Sequence, residues 1–233
     1  MMGVISDIHG NLEALEATLV AGLELGVDEW TCLGDVVGYG ANPNECAELV
    51  SHVCSVVLLG NHDEAAISDD DLSWFNPWAA HAVAWTRHAL NPRWRDYLGE
   101  RPFRHETPSA TFVHSTPIAP EKWGYIMDQA DAESQRGGFS TPLCFVGHSH
   151  RPGIYELPPD ADVGYPRWIV NVGSVGQPRD GNPRACMVLF AEREDGPAQV
   201  EFIRVGYNIA KAQQKILLAG LPEMLAQRLG VGM

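Results

Sequence analysis

An α/β fold is predicted by three features of the chain. Apolar, β-branched runs alternate with helix-period segments three times between residues 2 and 60, the pattern of parallel neighbours joined by helices. A Trp-rich, helical stretch over residues 64–104 then interrupts the strands. Strands return after it, and the last of them are joined by short Gly- and Pro-containing links that suit antiparallel pairing.

Each element has a local reason. Met2 to Ser6 is a short apolar run that reads as a buried strand, and Leu12, Leu15 and Leu19 repeat at helical spacing after it. Asn11 is a good N-cap for that helix, and Gly26 stops it. Glu29 to Leu33 is the second strand. Asn42 can cap a helix from Pro43 to Val50, with proline at the first helical position. Val53 to Leu59 is the third strand. Pro77 opens a helical segment from Trp78 to Leu90, which Asn91-Pro92 ends. Later strands are expected at Ala110–Val113, Leu143–Val146, Gly153–Leu157, Trp168–Val172, Cys186–Ala191 and Gln199–Val205, the last three as antiparallel neighbours. The tail from Ile209 to Leu229 is helical, interrupted by Gly220 and Pro222.

Bulk properties narrow the function. With 233 residues, 45% of them hydrophobic, the chain can bury a sizeable core. Its formal charge is −14, from 30 acidic and 16 basic residues, and it has no basic run, so a nucleic-acid partner is disfavoured. The five cysteines form no C-x-x-C pair and sit mostly in apolar runs, as expected of reduced thiols. No basic leader and no bilayer-length apolar stretch is present, so a cytoplasmic protein with no membrane partner is expected. A homo-oligomer is compatible with the sequence.

The chemistry-bearing residues follow the apolar runs. In an extended segment, residues i and i+2 point to the same side, so Asp7 and His9 in Ser6-Asp7-Ile8-His9-Gly10-Asn11 are expected side by side at the end of the first strand. A carboxylate and an imidazole so placed suit Mn, Fe or Zn; a capping Asp beside a surface His is the plain alternative. Asp35 follows Gly34, Asn61-His62-Asp63 follow Gly60, His114 follows Phe112-Val113, and His148 and His150 follow Gly147. Singly, Asp35 and Asn61 also read as turn residues and His114 as a core histidine. Their joint occurrence just past apolar runs favours one shared site, because open α/β sheets build sites at the carboxyl ends of strands.

Together, Asp7-x-His9, Gly34-Asp35, Gly60-Asn61-His62-Asp63, the lone His114 and Gly147-His148-x-His150 resemble, in order, the motifs of the calcineurin-like metallophosphoesterase superfamily. Chain length, the Asn171-Val172-Gly173-Ser174 stretch and the helical tail most resemble its small bacterial phosphodiesterase and diadenosine-tetraphosphatase-like branch. The resemblance implies a four-layer αββα sandwich of two mixed sheets flanked by helices. It would form a single domain over residues 1–233, with 64–104 as a helical cap insertion.

The resemblance also implies two divalent metal ions (Mn, Fe or Zn). Asp7, His9, Asp35 and His150 would hold the first; Asp35, Asn61, His114 and His148 would hold the second. A hydroxide bridging the ions would be the nucleophile, His62 the general acid, and Asp63 the residue that orients His62. The substrate would be a small phosphorylated or nucleotide-like molecule, with a phosphodiester preferred. A nucleotide or dinucleoside polyphosphate is the alternative substrate, and a non-catalytic scaffold on the same fold is the competing reading.

One departure concerns substrate. Phosphoprotein phosphatases of this superfamily carry Gly-Asp-x-x-Asp-Arg-Gly; here the stretch is Gly34-Asp35-Val36-Val37-Gly38-Tyr39-Gly40, with Tyr39 in place of the phosphate-binding Arg. Arg179 is a candidate substrate contact from later in the chain, with a solvated loop arginine as the alternative. Trp78, His81, Trp85 and His88 share a helical face that could line a cap or simply pack. Trp123 and Tyr125 could stack a nucleobase. His52 and His105 are expected on the surface.

Overall fold

The computed structural model describes residues 1–159, 164–191 and 198–233. The alternating start is β1 (Met2–Ile5), α1 (Leu12–Glu24), β2 (Glu29–Cys32), α2 (Pro43–Val53) and β3 (Val56–Val57). Three helices follow: α3 (Asn61–Ile67), α4 (Pro77–Ala89) and α5 (Pro92–Gly99). The second half runs β4 (Arg104–Glu106), β5 (Ala110–Val113), α6 (Gln129–Ser134), β6 (Leu143–Val146), β7 (Gly153–Leu157), β8 (Arg167–Asn171), β9 (Ala185–Ala191) and β10 (Gln199–Val205), then α7 (Ile209–Leu218) and α8 (Glu223–Leu229).

These strands form two five-stranded sheets, ordered β10-β9-β1-β2-β3 and β4-β5-β6-β8-β7. Both are mixed. β1, β2 and β3 run parallel while β9 joins β1 antiparallel; β5, β6 and β8 run parallel while β4 and β7 join antiparallel.

Alternation along each strand explains the layering. Val4, Phe112, Phe145, Val188 and Phe190 fill the space between the sheets. Ile5, Cys32, Met187 and Leu189 face the other way and bury against α1, α2 and α5. Val113, Cys144 and Val146 cover the outer face of the second sheet together with Ala132 of α6. The expected αββα sandwich with flanking helices is therefore present.

Several local expectations change. The run Val53–Leu59 pairs only at Val56 and Val57, because α2 retains Val53 and the chain leaves the sheet with Leu59 N–H donating to Pro102 O at 3.0 Å. Asn42 does not cap α2; its side chain donates to Glu45 and accepts from Lys215 Nζ at 2.8 Å. The strand ending at Asn171 does not pair with β9. It lies in the second sheet between β6 and β7, and the chain crosses to the first sheet at Val172–Val175. Short linkage in sequence is overridden there by bonds across the sandwich: Val175 N–H to Ser6 O at 3.0 Å and Cys186 N–H to Ser174 O at 2.9 Å. β4, an edge strand on β5, has no sequence signal of its own.

Candidate metal centre

The crossover places every predicted ligand on one edge of the sandwich. Asp7 and His9 follow β1, Asp35 follows β2, Asn61 opens α3 after β3, His114 follows β5, and His148 and His150 follow β6. All seven are buried. They lie at the carboxyl ends of parallel strands of both sheets.

Strand alternation is not what aims Asp7 and His9. β1 has ended at Ile5, and both residues are left-handed, with φ 55° and 51°. Asp35 (53°), His148 (64°) and His150 (59°) share that conformation. Non-glycine residues tolerate it only where the surroundings over-determine it. Here neighbouring loops bond to one another: Asp7 N–H to Gly34 O (3.0 Å), His9 N–H to Asp35 O (2.9 Å) and Gly147 N–H to His114 O (2.9 Å). Gly60 permits close approach, since a Cβ there would lie 2.2 Å from Asp35 Oδ1.

Ring tautomers follow from backbone carbonyls. His9 Nδ1 lies 3.2 Å from Val37 O, and His150 Nδ1 lies 2.6 Å from Gln177 O. A carbonyl only accepts, so each Nδ1 carries the proton and each Nε2 of the neutral ring presents a lone pair. Burial pushes both imidazoles below their ordinary pKa, keeping them neutral. Yet the two Nε2 atoms are 3.1 Å apart, and His150 Nε2 is 3.2 Å from Asp7 Oδ1. His148 Nε2 contacts Trp123 O at 3.1 Å, which leaves its Nδ1 for the centre.

Charge sharpens the picture. Burial pushes the Asp7 carboxyl up, but His150 and His114 outweigh it and hold it well below the usual range. Burial is likewise outweighed at Asp35 by His114, His62 and His9. His114 Nε2 is 3.4 Å from Asp35 Oδ2, and despite burial the carboxylates raise its pKa to about 9.

Among the described residues, the acceptors Asp7 Oδ1, Asp35 Oδ2 and Asn61 Oδ1 are buried without a hydrogen-bond partner. Buried acceptors facing acceptors are costly unless an electropositive centre lies between them. The donor set, imidazole, carboxylate and amide oxygen without thiolate, fits Mn, Fe or Zn. The ligand atoms fall into three groups, Asp7–His9–His150, His9–Asp35–His62 and Asp35–His114–His148, each within 4.8 Å.

His62 borders this cluster, its ring 4.8 Å from His9 and 4.4 Å from Tyr39. Asp63 does not orient it. The Asp63 carboxylate accepts from Val37 N–H (3.0 Å) and Gly60 N–H (3.2 Å), while His62 Nδ1 has no hydrogen-bond partner among the described residues. Asp63 sits at the third position of α3, where a side chain folds back on the helix start, so it ties the loop after β2 to α3 instead. Burial, and then Asp35, raise its pKa to about 7.

A cavity of about 450 Å³ opens over the cluster, lined by Tyr39, Asn61, His62, His148 and Arg179 with several aromatic neighbours. Arg179 Nη2 donates to Gln177 Oε1 at 3.0 Å and reaches Tyr39 Oη at 3.4 Å. Trp123 and Tyr125 line the same cavity. The face of α4 bearing Trp78, His81, Trp85 and His88 does not. Trp78, His81 and His88 are exposed, and Trp85 packs towards α7 and α8. Residues 64–104 reach the cavity instead through Trp74, Phe75 and Asn76, in the loop before α4. Sequence reasoning missed these, although an aromatic pair in a polar loop was the available signal. It also missed Asn171, Ser174 and Gln177, which brace the ligand loops. His52 is exposed as expected, while His105 is half-buried in β4.

Comparison with known proteins agrees with this geometry. Residues 1–195 match the family model of the calcineurin-like phosphoesterase superfamily domain. The chain is 38% identical to an uncharacterized protein of Methanocaldococcus jannaschii, over 100% of this chain and 98% of that protein. It is 41% identical to a metallophosphoesterase from Sphaerobacter thermophilus, whose crystal structure superposes with a TM-score of 0.85 over 100% of this chain and 98% of that one. A hypothetical protein from Pyrococcus horikoshii, 23% identical, shares the fold with a TM-score of 0.79 over 100% and 99% of the two chains. With its His/Asp cluster at the strand ends, this chain belongs to the calcineurin-like phosphoesterase superfamily and is a phosphoric ester hydrolase.

Proposed function

We propose that the protein is a phosphodiesterase with a dinuclear metal centre. The observation that carries the reading is the set of buried, unpartnered acceptors converging at the strand ends. Asp7, His9, Asp35 and His150 would hold one ion; Asp35, Asn61, His114 and His148 would hold the other. Asp35 Oδ2 lies 3.6 Å from His9 Nε2 and 3.4 Å from His114 Nε2, residues assigned to different ions, which supports its sharing by both. Metal held there would supply Lewis-acid polarisation of the phosphoryl oxygens and an acidified water.

The chain's own residues do the rest. Arg179 faces the cavity, and its guanidinium pairs with anionic phosphoryl oxygens. Tyr39 takes the place of the phosphatase Arg and anchors Arg179 through its hydroxyl. His62 gives a proton to the departing alkoxide. Burial pushes its ring down to about 4, against the pull of Asp35, so the free protein keeps it neutral. A phosphoryl anion beside the ring favours the protonated form and readies it for transfer. Asp63 contributes by fixing the loop under His62, and residues 64–104 form one wall of a single domain.

Purified protein supplied with Mn is expected to hydrolyse bis-p-nitrophenyl phosphate and to hold about two ions per chain by elemental analysis. Asp35→Asn is expected to lower the rate more than about 100-fold. Equal rates in the two proteins would refute the proposal. A metal-free protein that captures a stoichiometric partner would favour the scaffold.

A further inference from the structure

The cavity has a wall that none of the assigned roles uses. Trp74 and Phe75 stand beside His62 at its rim. Their rings stack, with centroids 3.8 Å apart and planes 27° off parallel. Phe75 lies 5.0 Å from the His62 ring, so the pair is fixed to the imidazole. Trp74 nevertheless remains 57% exposed, an unusual state for the largest apolar side chain. Tyr125, which lines the same cavity, stacks on His148 at 4.0 Å. Arg179 lines this cavity too.

We propose that Trp74 and Phe75 form a platform for a planar ring on the group that leaves beside His62, which makes the preferred substrate a nucleoside-bearing phosphoester. This rests on the reading of His62 as the proton donor. The stacked pair leaves the Trp74 indole partly open on the cavity that His62 and Arg179 also line, so a ring there would share the cavity with a phosphate held by Arg179. Stacking accepts any base, so the platform selects for a ring without choosing among bases. An aliphatic leaving group would leave the indole wet and gain nothing from it.

The test measures binding, so it does not depend on turnover. Calorimetry on the Mn-loaded protein compares adenosine 5′-monophosphate with ribose 5-phosphate, which carry the same anion with and without a base. Wild type is expected to bind the first about tenfold tighter or more. Trp74→Ala should collapse that preference to within about twofold, and Trp74→Phe, which keeps a ring, should restore most of it. Trp78→Ala, which removes an exposed indole outside the cavity, should leave the preference standing. The proposal is overturned if wild type shows no preference, if the preference survives Trp74→Ala, or if Trp78→Ala abolishes it. Failure of the phosphodiesterase reading looks different: Asp35→Asn would match wild type in hydrolysis while the Trp74-dependent preference persists.

Discussion

Replacing Asn171 by alanine tests how the turn carrying His148 and His150 is held. Asn171 is fully buried at the end of β8. Its Nδ2 donates to Gly147 O (2.8 Å) and Ser149 Oγ (2.9 Å), and its Oδ1 accepts from Gly173 N–H (3.0 Å). Gly147 O keeps a second donor, Ser149 N–H, at 2.7 Å. Losing the first two bonds should therefore cost only the ordinary net value, about 0.5–1.5 kcal/mol each. Gly173 N–H is left buried and unmet, at about 1–3 kcal/mol. The central expectation is about 4 kcal/mol, or a Tm lowered by about 8–16 °C for a domain of this size. Because the loosened turn carries two proposed ligands, the Tm gain on adding Mn should also shrink relative to wild type. Differential scanning fluorimetry with and without Mn reads both quantities. A Tm within about 2 °C of wild type, or an unchanged Mn-induced gain, would refute the reasoning.

Two further predictions follow from close contacts and charge. Gly38 sits at φ 95°, and a Cβ there would lie 2.7 Å from His62 Nδ1; Gly38→Ala should displace the imidazole and lower kcat about tenfold or more while metal content by elemental analysis stays at the wild-type level. Unchanged kcat would sink that expectation. Glu13 is buried between Lys211 Nζ (3.0 Å) and Lys215 Nζ (2.6 Å). Burial alone would raise its carboxyl, but the two lysines hold it below its ordinary value. A depressed folded pKa stabilises above the unfolded value and loses that contribution as pH falls through the folded one. The Tm advantage of wild type over Glu13→Gln should then be full at neutral pH and close below about pH 4.3. An advantage that persists or grows in acid would contradict it.

Much of the site was legible because its residues are chemically conspicuous and follow apolar runs. Asp35, Asn61, His114, His148 and His150 could each be placed just past an apolar run, and parallel strands deliver such positions to one edge. What could not be read depends on bonds between distant segments. Asn171 ends a strand in one sheet, and Ser174, three residues on, already donates its hydroxyl to Asp7 O at 2.8 Å beneath the other. No local signal announces that switch. Asp63 beside His62 suggested a carboxylate–imidazole pair, but its acceptor sites were already taken by Val37 and Gly60 amides. The exposed Trp74 carried no helical or strand period to mark it, since it lies in a loop.

The left-handed residues connect these failures to the function. Asp7, His9, Asp35, Tyr39, His148 and His150 all have positive φ. Each costs about 1–3 kcal/mol relative to relaxed backbone, so the loops hold them only because other bonds oppose relaxation. Those bonds are visible: Gly176 N–H to Asp7 O (2.9 Å), Gly40 N–H to His9 O (2.8 Å) and Arg179 N–H to His150 O (3.2 Å). The imidazoles are likewise fixed by carbonyls of Val37, Gln177 and Trp123. Backbone geometry and these carbonyl bonds thus orient the ligands. Such a frame holds the His9 and His150 Nε2 atoms 3.1 Å apart. A softer loop would let the rings turn away and bond elsewhere. The strain is therefore part of what makes the edge of this sandwich a ready receptor for cations, and it is the part a sequence pattern of Asp-x-His cannot express.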